Sequence, residues 1–127
     1  MKLISLVALA LAAQNAAPQN AEPAITNLDQ LPIGQATAVR CGVAFAVVEG
    51  WQERSDPRGD EWPNIVGGGG REFFVRAAAQ LMDERGLDRD AFAALVQTEV
   101  LRMLEDEGEP ARAIMPACLL LLDTPPN

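Results

Sequence analysis

The sequence predicts an all-α fold: a single four-helix domain, with helices over about 35–51, 71–85, 89–107 and 110–122, closed by one disulfide and preceded by a signal peptide. Three observations carry this. Apolar residues make up 49% of the chain, yet only four Phe and two Trp are aromatic, so the core is built from Ala, Val, Leu and Met, which pack well between helices and, Val apart, form strands poorly. Apolar side chains recur at spacings of three and four in each of four segments. Two cysteines, Cys41 and Cys118, fall in the first and last of those segments. At 127 residues there is material for one core and little more.

The first stretch has Lys2 at its tip, then Leu3, Ile4, Leu6, Val7, Leu9 and Leu11, then small residues, which is the layout of a secretory leader over about residues 1–17. Its apolar run is shorter than the about 18 residues a membrane-spanning helix needs. Residues 18–31 are rich in Ala, Asn, Gln, Pro and Glu without a period and read as a flexible tether, leaving 32–123 as the folded domain.

The first helix carries Val39, Val43, Ala46, Val47 and Trp51 on one stripe, widened by Cys41, Phe45 and Val48, and Gly42 in it permits a close helix contact. The stretch from Glu53 to Gly70, with Ser55, Asp56, Pro57, Gly59, Pro63 and four consecutive glycines, reads as a long loop, either slack or a binding loop. Trp62 and Ile65 are apolar residues inside it, and with Asp60 and Glu61 they are the candidate partner-binding residues. The second helix places Phe73, Phe74, Ala77, Leu81 and Met82 together and stops at Gly86. Asp88 caps the third, with Leu87 and Phe92 positioned as a hydrophobic staple, so the second and third helices are expected to pack as an antiparallel hairpin. Gly108 is expected to end the third helix. The fourth opens at Pro110 and contains Pro116, where a kink or break is expected to aim Cys118 at the first helix.

An even pair of cysteines in an exported chain points to a Cys41–Cys118 disulfide, which by chain-entropy arguments stabilises by about 4 kcal/mol. Loss of the leader removes Lys2, the only lysine, and takes the formal charge from −8 to −9. Such a surface repels nucleic acid and anionic lipid and suits a basic protein partner.

The inventory restricts chemistry. There is no His or Tyr, no Lys beyond the leader, and no free thiol once the disulfide forms, so the usual general base and strong nucleophiles are missing. Ser55, the one serine beyond the leader, has no activating neighbour type. Two-carboxylate hydrolysis stays formally open but lacks the aromatic platforms of a sugar cleft. Without His or free Cys, only hard oxygen ligands remain for a metal, and Asp56, Asp60 and Glu61 lack the spacing of a calcium loop. No cofactor, metal or catalytic residue is assigned.

Cys41-Gly42 and Met115-Pro116-Ala117-Cys118 give the chain a layout that resembles small exported helical proteins of Gram-negative bacteria clamped by two cysteines. It is similar among these to the immunity proteins that neutralise type VI secretion effectors in the periplasm, and more distantly to periplasmic acid-stress chaperones. Phe45, Gly50 and Ala117 depart from the immunity-protein pattern, which sets an aromatic and a glycine soon after the first cysteine and a proline directly before the last. The resemblance implies a periplasmic or secreted, non-enzymatic protein-binding module, with an acid-stress chaperone as the alternative; a small carboxylate-dependent hydrolase, left open by the residue inventory alone, is the second.

Overall fold

A computed structural model describes residues 24–122; the leader, residues 18–23 of the tether and the segment 123–127 lie outside the described residues. Among the described residues the fold is all-helical. Four α-helices, α1 (Ile33–Glu53), α2 (Gly70–Arg85), α3 (Arg89–Met103) and α4 (Glu105–Leu122), are joined with two short 3-10 turns, Leu28–Gln30 and Pro57–Gly59.

α1 is the axis of the domain. Every residue from Cys41 to Phe45 is buried, as are Val47, Val48 and Trp51, and α1 touches the other three helices and both 3-10 turns. A helix apolar on nearly all sides belongs at the centre of a core. Burying Phe45 alone contributes roughly 1.5–3 kcal/mol. Cys41 and Cys118 are disulfide-bonded with their Cα atoms 5.2 Å apart, which ties the middle of α1 to α4.

The expected hairpin of α2 and α3 is only partly realised. The joint is as anticipated: Gly86 ends α2 in the left-handed conformation and the Asp88 carboxylate accepts a hydrogen bond from the Ala91 amide. Yet α2 lies chiefly along α1 and meets α3 slightly, through contacts such as Phe74 with Phe92, whose ring centres are 6.2 Å apart. The reason is Gly42. A Cβ there would sit 2.5 Å from the Phe74 ring and 3.2 Å from its Cα, so the bare glycine admits the α2 backbone against α1.

Three further expectations are corrected. The tether does not run to Leu31: Asn27 and Gln30 cap the first 3-10 turn reciprocally, and Leu28, 1% exposed, and Leu31 are core residues. The third helix ends at Met103 rather than 107, because Asp106, Glu107 and Gly108 adopt left-handed conformations with φ of 48°, 60° and 87°. Pro116 does not break the last helix; its only non-helical residues are 106–108.

One buried carboxylate organises the opposite side of the bundle. Glu99 on α3, its side chain 5% exposed, pairs with Arg40 of α1 at 2.9 Å and with Arg102. Arg40 also reaches Asp29 at 3.0 Å, so the 3-10 turn, α1 and α3 share one ionic network. Burial pushes the Glu99 carboxyl up, but hydrogen bonds from Arg102 and Arg40 outweigh it and hold the group below its ordinary range.

Candidate functional site

The stretch after α1 is a built structure rather than slack. Gln52, in the last turn of α1, holds it by one amide: Nε2 donates to the carbonyls of Gly59 (3.2 Å), Trp62 (3.2 Å) and Pro63 (2.8 Å), while Oε1 accepts from the Ile65 amide at 3.1 Å. Ile65 is fully buried, so it is a core anchor of the loop and not a contact residue, which corrects the expectation for that position.

A second anchor is Arg58. Its guanidinium lies 4.7 Å from the centre of the Trp51 ring, pairs with Asp56 at 2.6 Å, and donates from Nη1 to the Glu107 carbonyl at 3.1 Å. The loop is thereby fastened to the left-handed corner formed by residues 106–108 at the start of α4. Hydrogen bonds from the Arg58 side chain and amide lower the Asp56 carboxyl from 3.8 to about 2. Gly108 completes the corner: with its φ of 87°, and with a Cβ that would stand 2.4 Å from Trp51 Cζ2, only glycine fits.

Between these anchors the chain projects Asp60, Glu61 and Trp62. Asp60 and Glu61 are exposed and Trp62 is half-buried. Trp62 separates two open grooves. One, of about 400 Å³, is lined by Glu61, Trp62, Glu109, Arg112 and Ala113; the other, of about 530 Å³, includes Glu49, Glu53, Ser55, Asp60 and Val66. The indole Nε1 is buried and meets no acceptor, a situation that costs a folded protein about 1–3 kcal/mol.

The electrostatics around Trp62 are acidic but partly balanced. Arg112 pairs with Glu61 at 3.2 Å and Glu109 at 3.6 Å, and Arg71 pairs with Glu49 at 2.5 Å and Glu53 at 3.0 Å. Asp60 makes no ion pair among the described residues, and the side chains of Glu105, Asp106 and Glu107 are exposed at the adjoining corner. Ser55, exposed and with φ of 55°, lines the second groove. Among the described residues no three carboxylates gather in a way that could hold a metal ion.

Three of the four residues expected from sequence, Asp60, Glu61 and Trp62, are thus brought together. Sequence reasoning missed Gln52 and Arg58, which position them, and Glu109 and Arg112, which α4 contributes across the fold. The link between Glu61 and Arg112 spans 51 positions, so no local sequence pattern marks it. No protein-family model, no curated protein and no solved structure matches this chain.

Proposed function

We propose that this is a non-enzymatic protein-binding domain of an exported protein, of immunity or accessory type, and that it meets a basic partner through the Trp62 face. The observation that carries the reading is Trp62 itself: a half-buried indole between two grooves, with its N–H unsatisfied and carboxylates on both sides. Tryptophan at the centre of a patch is the side chain whose removal most often costs a complex its affinity, and an acidic rim steers and orients a cationic surface. The buried disulfide, and the fact that no helix among the described residues is long and apolar enough to cross a membrane, are compatible with the exported compartment that the leader implies.

The test is binding between purified components. A basic protein recovered from periplasmic extract on the immobilised domain is identified, purified and titrated by calorimetry against the wild type, Trp62→Ala, and Asp60→Asn with Glu61→Gln. The expected result is a complex weakened at least tenfold by Trp62→Ala and progressively by salt. Binding that ignores both the substitution and the salt refutes the reading.

The acid-stress alternative has less support. Hydrogen bonds from arginines lower the Glu99 and Asp56 carboxyls, so these two contacts yield to acid later than an ordinary carboxylate pair would. A hydrolase is disfavoured because the groove carboxylates Glu49, Glu53, Glu61 and Glu109 are engaged by arginines instead of facing one another as a free acid and base.

A further inference from the structure

Among the described residues, the outward side of α2 has no partner. Ala77 and Leu81 point inward and are buried, and Phe73 stacks edge-on against Phe45 of α1 with ring centres 5.3 Å apart. Facing away are Val75, 63% exposed, Ala79 and, half-buried, Met82, spaced by four and three residues. With Phe74, Ala78 and Leu87 they line an apolar groove of about 540 Å³ whose edge carries Asp83 and Arg89.

Four of the nine arginines, Arg54, Arg76, Arg85 and Arg89, form no ion pair among the described residues. Arg40, Arg58, Arg71, Arg102 and Arg112 each pair with a carboxylate. Arg76 and Asp83, seven residues apart on α2 and both exposed, form no ion pair among the described residues. Seven residues are two helical turns, so the two side chains lie along the same flank of the apolar stripe, one positive and one negative.

We propose that α2 pairs antiparallel with α2 of a second copy of this chain, about a two-fold axis passing beside Ala79 and Gln80. Such an axis sets the two Ala79 residues side by side where it crosses and places Met82 of each copy beside Ala78 of the other, a large residue against a small one. The same operation brings Arg76 of each copy to Asp83 of the other. One contact therefore becomes two ion pairs, the self-complementarity a two-fold interface requires. A parallel pairing fails this condition, because it sets Arg76 against Arg76 and Asp83 against Asp83. The interface involves one helix per copy and is independent of the Trp62 face.

The experiment is sedimentation equilibrium of the purified, disulfide-bonded protein from about 10 µM to about 1 mM, the range suited to an interface smaller than the standard of about 800 Å² per partner. The wild type is expected to show a reversible monomer–dimer equilibrium. Arg76→Glu and Asp83→Arg, each replacing two attractions with two repulsions, are expected to raise the dimer Kd at least about tenfold. The double exchange R76E/D83R recreates both pairs with reversed polarity and returns Kd to within about threefold of the wild type. All sites are exposed, and matching circular-dichroism melts show that every variant is folded. A wild type that stays monomeric overturns the proposal and leaves the groove to another protein; so does a dimer indifferent to the single exchanges, or one the double exchange fails to restore.

Discussion

Replacing Gln52 with Leu isolates the side chain that holds the segment between α1 and α2. The substitution keeps the bulk and removes four hydrogen-bond contacts: the carbonyls of Gly59, Trp62 and Pro63 share the two Nε2 protons, and the Ile65 amide donates to Oε1. Three of these are partly shielded, and the Pro63 bond is exposed and replaceable by water. At about 1 kcal/mol for each shielded bond, the loss is about 3 kcal/mol. For a domain of this size that corresponds to a melting temperature lower by about 12–24 °C. Urea unfolding followed by circular dichroism measures the change directly, with Gln80→Leu on the exposed side of α2 as the control. Gln52→Glu sharpens the test: a carboxylate turns oxygen toward three carbonyl oxygens, so this variant is destabilised at pH 7 and recovers part of the loss near pH 4 as it gains a proton to donate. A Gln52→Leu protein within about 1 kcal/mol of the wild type refutes the claim that one amide holds this segment, since the bonds lost from that amide exceed that.

The Glu99 network makes stability depend on pH in a defined direction. Its carboxyl titrates lower in the folded than in the unfolded chain, so its contribution is complete above about pH 4.3, the unfolded value, and is lost as the pH falls through the folded value. Asp56 acts in the same sense between 3.8 and about 2. Denaturant melts from pH 6 to pH 2 should therefore fall more steeply for the wild type than for Glu99→Gln, and parallel curves count against the network. Gly108→Ala combines a left-handed backbone with a clash on Trp51 and should cost about 2–4 kcal/mol, whereas Gly34→Ala, with nothing near its Cβ, should be neutral or slightly stabilising in the same urea assay. Converting Cys41 and Cys118 to Ala should cost about 2–5 kcal/mol, read from the urea midpoint with and without reductant.

The parts of the fold that were legible in the sequence are those decided locally. Apolar spacing located all four helices, and Gly86 with Asp88 located the joint between α2 and α3, because capping chemistry acts within a few residues. What escaped was decided at a distance. Asp106 and Glu107 are not residues that announce a left-handed turn; they adopt it because Arg58 takes the Glu107 carbonyl and Trp51 packs on Gly108, contacts separated by about fifty positions. Leu28 was hidden by its polar surroundings, although Asn27 and Gln30 spell a capping pair in retrospect. The candidate site was half legible. Asp60, Glu61 and Trp62 stood out as polar and aromatic residues in a loop, while the glutamine and arginines that arrange them carry no sequence signal beyond being hydrogen-bond donors.

The bond between Cys41 and Cys118 has a topological consequence. It turns the stretch between them, which includes all of α2 and α3, into a covalent ring, and Gly67 and Gly68 lie exposed on that ring. A protease that cuts once at those glycines opens the ring without releasing a fragment: the two pieces still migrate as one molecule and separate only when a thiol reductant is added. A cut at such an exposed site is in this way kept from becoming loss of half the domain.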